Sequence, residues 1–170
     1  SYAFRIFDTS VTVARMVTLS LSCVLLWAAA LCMRLVSGRT HALAAGVLII
    51  SLPRYLELSH TVMIGLPAIA FAMLSLAAIT LWHLRRRAIW LVVSGGILAI
   101  SVFTKGFTAI LVPIFCVGII IDGYAHRGAT DPPRSRWRAA WPTVALWLGA
   151  FLVVAGSLFI LLVGPTGAEQ

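Results

Sequence analysis

The sequence is poor in charged residues, and above all in acidic ones. Only five of its 170 residues are Asp or Glu and 11% are charged, whereas about a quarter of the residues of a soluble domain are charged. A hydrophobic content of 61% and a mean hydropathy of +1.03 agree with this scarcity. These values exclude an ordinary soluble globular domain, and we expect a membrane protein.

Sequence motifs of common catalytic and metal sites are also missing. There is no HExxH, GxSxG, P-loop or CxxC pattern. The three cysteines, Cys23, Cys32 and Cys116, lie in apolar stretches without the spacing of metal ligands, so we interpret them as small hydrophobic residues of helices. We therefore expect no metal, no redox site and no cofactor.

Long apolar runs are what the sequence has in abundance. A bilayer core requires about 20 apolar residues per helix. The sequence offers six runs, at about residues 11–36, 41–52, 67–83, 88–103, 107–121 and 141–163. The second run is short and ends at Pro53, which indicates a kink or a partly interfacial helix. We expect an all-α fold, a multipass transmembrane bundle of about six helices over residues 1–163, with residues 164–170 beginning an extracytoplasmic segment.

Two local patterns refine this prediction. The Gly95-Gly96 pair in the fourth run is typical of helices that approach one another closely. The polar stretch 122–138 is interpreted as a solvent loop, with Trp137 and Trp141 as anchors at the membrane interface.

The basic residues predict the orientation. A formal net charge of +8 would suggest nucleic acid for a soluble chain, but here the basic residues fall between apolar runs. Nine of the thirteen follow the first, third and fifth runs: Arg34, Arg39, Arg85, Arg86, Arg87, Arg127, Arg134, Arg136 and Arg138. The positive-inside rule makes these loops cytoplasmic. The N-terminus, residues 53–65, the turn at 104–106 and the C-terminus are then predicted to lie outside.

Four basic residues fall on the predicted outer side, against this rule: Arg5, Arg15, Arg54 and Lys105. Lys105 is the only lysine, and a charge at the centre of a membrane helix costs about 2.5–3.5 kcal/mol. If the helix ends converge, Arg15, Arg54 and Lys105 form a cationic pocket that suits a lipid-linked phosphate. The same outer connection holds candidates for the acceptor side of such a site: Tyr55, Glu57 and His60.

Plainer interpretations stand beside this one. Lys105 could extend its ammonium to the interface from a helical hairpin. Arg54 and Glu57, three residues apart, could form a pair on a helix surface. His60 could be a polar interface residue, and Arg15 could contact lipid headgroups.

The carboxylates restrict the chemistry. Asp122 and Asp131 are predicted to lie on the inner side, so a general base acting outside would be Asp8 or Glu57, or would come from beyond this sequence. Because the chain begins at Ser1 and ends on a short polar segment, we expect a fragment of a longer protein. The sequence thus predicts a binding wall, and its catalytic residue is unknown.

Several segments together resemble a known family. The stretch SGRTHALAAGVLIISLPRYLELSHTVMIGLPAIAFAMLSLAAITLW and the later RRRAIWLVVSGGILAISVFTKGFTAILVP carry most of the likeness, with TKGF and Pro113 its most specific part. FDTSVTVARMV resembles the entry to the preceding helix. The family is the polyprenyl-phosphate-dependent glycosyltransferases of the GT-C type, which include protein mannosyltransferases that use dolichyl-phosphate mannose and bacterial aminoarabinose transferases. The resemblance covers about residues 4–125.

The resemblance implies an enzyme, a hexosyl or pentosyl transferase that works at the extracytoplasmic face of the membrane. It would use a polyprenyl-phosphate-linked sugar donor and a lipid or protein acceptor, among membrane lipids and without nucleic acid, in the bacterial inner membrane. Lys105 matches the lysine of the TKG motif near the lipid phosphate, and Arg15 matches the arginine that enters the helix. The family's catalytic acid usually precedes the matching region. Departures occur at His60 and Gly65, where relatives often have an arginine and an acid, and at Asp8, where glycine is common.

Two other classes are weighed against the enzyme. A transporter or lipid flippase would contain broken helices and polar residues at the membrane midplane, whereas the polar residues here collect on one face. A non-catalytic membrane scaffold would not depend on Lys105.

Overall fold

A computed structural model describes residues 11–53, 55, 65–125 and 133–163. These residues form six α-helices and one 3₁₀ helix, with no strand among them. The helices are α1 Val11–Ser37, α2 Arg39–Ser51, α3 Gly65–Arg85, α4 Ala88–Thr104, the 3₁₀ helix Gly106–Ile110, α5 Leu111–Ala125 and α6 Pro133–Val163. The predicted all-α bundle of about six helices is confirmed.

Four stretches are long and apolar enough to cross a membrane: Ala14–Ser37, Gly65–Arg85, Gly106–Ala125 and Ala140–Leu162. The other two helices are shorter, since α2 has 13 residues and α4 has 17. At 1.5 Å per residue they extend about 20 and 26 Å, against a bilayer core of about 30 Å. The protein is therefore a multipass membrane protein in which four of the six apolar runs are full-length spans.

The turn between α1 and α2 is one residue long. Gly38 has φ 93°, a left-handed conformation that glycine adopts without steric cost. The chain then returns only part of the way along α1, because the Tyr55 hydroxyl, just beyond α2, donates to the carbonyl of Ser22 near the middle of α1, at 2.8 Å. The short second run predicted from Pro53 is thus a short helix lying on α1.

Helices α3 and α4 form an antiparallel pair joined by two residues. Near one end the Ser101 hydroxyl donates to the carbonyl of Ala68 at 2.7 Å. Farther along, the Ser75 and Ser94 hydroxyls lie 2.9 Å apart and each also bonds the other residue's carbonyl. The buried residues of α3 are largely alanines, and small residues let its neighbouring helices approach closely.

Helix α6 packs against α4 at the glycine pair. A Cβ on Gly95 would lie 2.6 Å from the Trp147 carbonyl oxygen and 3.1 Å from the Phe151 nitrogen, so only glycine fits there without a backbone shift. Trp147 is fully buried, and its indole N–H donates to the Ser94 hydroxyl at 3.2 Å. The close approach predicted from the glycine pair is confirmed.

The predicted solvent loop at 122–138 is wrong in extent. Helix α5 continues to Ala125 and α6 already begins at Pro133. Gly123 is helical and packs on α6, where a Cβ would lie 3.2 Å from the Cβ of Ala140. Trp141 is exposed on α6, as an interfacial anchor requires, whereas the side chain of Trp137 lies outside the described residues.

The contacts fix the directions of the helices. Cys32 of α1 lies against Thr80 of α3. Both residues are five positions before the end of their helices, and the two helices pack along much of their length, so α1 and α3 are parallel. We call the end that holds the start of α3, the end of α4 and the first turns of α1 the Lys105 end. The opposite end, where α1, α3 and α5 finish, is called the arginine end.

Candidate functional site

The backbone of Lys105 is held on both sides. Lys105 follows the last residue of α4 in an extended conformation, and its N–H donates to the Ser101 carbonyl at 3.0 Å. Its own carbonyl accepts from the N–H and the hydroxyl of Thr108, at 3.2 and 2.9 Å. Ser101 and Thr108 are both buried. The turn that carries the lysine is therefore anchored to the bundle.

The Lys105 side chain is exposed at this turn. Its Nζ lies 3.5 Å from the position that a Cβ would take on Gly65, at the start of α3. It also lies 5.3 Å from the centroid of the Phe107 ring, within the range of a cation–π contact. Asp122 is the one acidic residue that the structure describes, and it lies at the arginine end. The ammonium thus has no carboxylate partner within the described ranges.

Arg15 shares the Lys105 end. It is exposed near the start of α1, which runs parallel to α3. Arg54, Glu57 and His60 lie outside the described residues. The convergence of the basic residues into one pocket stays a prediction.

Tyr55 is half-buried against α1. Its hydroxyl donates to the Ser22 carbonyl, which already makes a backbone bond typical of a helix. This bond fixes the chain that leaves α2, so Tyr55 has a structural partner in addition to its predicted place on the acceptor side.

The arginine end contains an ionic cluster that sequence reasoning missed. The Asp122 carboxylate contacts the His83 Nδ1 at 2.5 Å and accepts from both terminal nitrogens of Arg86, at 2.5 and 3.1 Å. Arg86 ends α3 with φ 54°, and its guanidinium lies 5.0 Å above the Trp82 ring. The sequence pattern predicts Asp122 in a solvent loop, and it predicts that Arg85, Arg86 and Arg87 set the orientation and contact anionic lipids. The available signal was a single acidic residue, Asp122, directly after the apolar run 107–121, where an unpaired carboxylate is unfavourable.

The buried polar groups of the core bind one another. Ser75, Ser94 and Trp147 are all completely buried, and their hydroxyls and indole N–H are used in mutual hydrogen bonds. Across the described ranges, no group of three or more His, Cys, Asp or Glu residues is placed to hold a metal ion. The α3–α4–α6 contact is thus a packed interface that holds Lys105 at its edge.

No family model, no curated protein and no solved structure matches this chain. The functional argument accordingly depends on the residues and their geometry.

Proposed function

We propose that the chain is the membrane portion of a glycosyltransferase that moves a sugar from a polyprenyl phosphate carrier to an acceptor at the extracytoplasmic face. The observation that carries this proposal is the exposed ammonium of Lys105, whose backbone is anchored at a helix end and which has no acidic partner among the described residues. A cation anchored at a lipid boundary is suited to bind a phosphate that a membrane lipid presents. Lys105 also matches the lysine of the TKG motif in the family that this chain resembles.

Gly65 bears on this assignment. Relatives in the resembling family often have an acid at this position, and a side chain here would begin 3.5 Å from the lysine Nζ. An acid would therefore reach the ammonium and neutralise it. Glycine places no carboxylate beside the ammonium at this position.

The proposed reaction is a substitution at the sugar's anomeric carbon. The acceptor's nucleophilic atom forms a bond to that carbon, and the bond between the carbon and the phosphate oxygen breaks. Polyprenyl phosphate leaves, and Lys105 offsets the negative charge that develops on it. The acceptor's proton goes to a carboxylate, which the resemblance expects to precede the matching region.

The test is transfer activity of the full-length protein with a labelled polyprenyl-phosphate sugar at limiting donor concentration. Loss of a charge-assisted contact worth about 1.5–3 kcal/mol predicts a fall of about 10- to 100-fold for Lys105→Ala, with partial activity in Lys105→Arg. Arg85→Ala is the matched control, an exposed cation at the opposite end. Wild-type rates in Lys105→Ala and Lys105→Arg at limiting donor would refute the role of Lys105.

The same preparation distinguishes a transporter or flippase. In reconstituted vesicles, movement of the labelled donor between leaflets without any transfer to an acceptor would support a transporter and contradict the glycosyltransferase proposal. If the wild-type protein and Lys105→Ala both show no transfer and no movement of the donor, the result would support a scaffold.

A further inference from the structure

A groove lies between α1 and α2 at the arginine end. It has a volume of about 380 Å³, within the range of small-molecule sites, about 300–1,000 Å³. Its lining combines two arginines, Arg34 and Arg39, with five apolar residues that include Trp27, Leu31 and Leu43. The groove is therefore amphipathic, with cations on one part of its wall and hydrocarbon on the rest.

The cations and the apolar wall lie at different depths. The membrane span of α1 ends at Ser37, so Arg34 lies within a turn of its end and Arg39 just beyond it. Trp27 lies seven residues before Arg34, about 10 Å farther into the span. The arginines are thus at headgroup depth, and the apolar wall is at the depth of the acyl chains.

The two arginines have no acidic partner in the described chain. Both are exposed, and the one described carboxylate, that of Asp122, is bonded to Arg86 and His83. Two guanidinium groups on one groove offer forked donors that match the oxygens of a phosphate. Charge complementarity therefore selects an anionic occupant, and the apolar wall selects one with a hydrocarbon chain.

We propose that this groove binds one anionic glycerophospholipid, with its phosphate at Arg34 and Arg39 and one acyl chain along Trp27, Leu31 and Leu43. The site is separate from the Lys105 end and does not depend on the glycosyltransferase function. It distinguishes Arg34 and Arg39 from Arg85 and Arg87, which are exposed at the same end but do not line the groove.

The test is native mass spectrometry of the full-length, delipidated protein titrated with long-chain phosphatidylglycerol. Phosphatidylcholine with the same chains and inorganic phosphate serve as competing probes. We expect the first phosphatidylglycerol molecule to bind more tightly than the phosphatidylglycerol molecules that bind after it. Arg34→Gln/Arg39→Gln should weaken this first binding event by about tenfold or more.

The matched control is Arg85→Gln/Arg87→Gln, which removes the same charge from the same end and should change the affinity less than about twofold. Leu43→Ser, on the exposed part of the apolar wall, should weaken binding by about threefold. Should the glutamine variant of the groove fail to fold, Arg34→Lys/Arg39→Lys keeps the charge but loses the forked donors, and it should bind more weakly than wild type.

Equal losses in the two glutamine variants would overturn the proposal, because they would indicate unspecific attraction to a basic surface. Equal affinities for phosphatidylcholine and phosphatidylglycerol would mean that the groove binds only the apolar part of a lipid. Displacement of the lipid by an equal concentration of inorganic phosphate would show a phosphate site without an acyl component. Each of these results contradicts a bound anionic phospholipid.

Discussion

Two sites at opposite ends of the bundle, the Asp122 cluster and Lys105, hold basic side chains in different ways. At the arginine end, Arg86 and His83 share the carboxylate of Asp122, whose side chain is only 12% exposed, and they join α3 to α5. At the Lys105 end, the backbone is anchored by hydrogen bonds while the ammonium extends from it without a described acidic partner.

This difference separates structural cations from candidate binding cations. A cation whose charge is matched inside the fold contributes to packing, and removing its partner destabilises the fold. An exposed cation with an anchored backbone and no acidic partner among the described residues contributes little to stability, and it is a candidate for binding an anion. The comparison therefore predicts that substitutions in the Asp122 cluster change stability and that substitution of Lys105 changes function.

The largest effect is expected where α4, which connects the two ends, meets α6. Gly95→Ala places a Cβ 2.6 Å from a backbone oxygen, so the helices must move apart, and we expect a loss of about 2–3 kcal/mol of unfolding free energy. The measurement is SDS-induced unfolding in mixed micelles, followed by tryptophan fluorescence. Gly149→Ala in α6 is the matched control, since nothing lies within 4 Å of its Cβ position and the helix propensity of alanine favours it. Equal stability of the two variants would contradict the close approach.

Removing the carboxylate at the arginine end should have the next largest effect. Asp122→Ala leaves Arg86 and His83 without their shared acceptor, and we expect a loss of about 1–2 kcal/mol, below that of a fully buried pair because both cations are partly exposed. The same unfolding assay measures it. Asp122→Asn, which keeps an acceptor oxygen, should lose less. A double-mutant cycle with Arg86→Gln that gives zero coupling energy would rule out the ion pair.

A smaller effect is expected at the bond between Tyr55 and α1. Tyr55→Phe removes one hydrogen bond to the Ser22 carbonyl, and such bonds in membrane proteins contribute about 0.6–1.7 kcal/mol. The unfolding assay should show a loss in this range while the helix content by circular dichroism is unchanged. No measurable loss would mean that the segment after α2 is held by other contacts.

The smallest effect on stability is expected for Lys105→Ala. The exposed side chain contributes one cation–π contact, with Phe107, so the loss should be below about 1 kcal/mol. The same protein should lose most of its donor-limited transfer activity, as predicted above. A loss as large as that of Asp122→Ala would place Lys105 among the structural cations and remove the difference between the two ends.

The candidate site could be predicted in part. Lys105 was identified because a single lysine between apolar runs is energetically unfavourable anywhere except at a helix end, a cavity or an anion. The cluster of Asp122 with His83 and Arg86 was missed because its members are 36 to 39 residues apart in sequence. No local pattern joins residues at such a separation.

The sequence alone determined the class of the protein and the places where its helices run. A composition this apolar leaves backbone groups no water to bond, so they must bond within helices, and the apolar runs set how long those helices are. Tertiary packing decided that α2 lies on α1, and that α6 meets α4 at Gly95 and α5 at Gly123. It also decided which cations have partners, because a side chain's charge is written in the sequence but its partner depends on which helices come together.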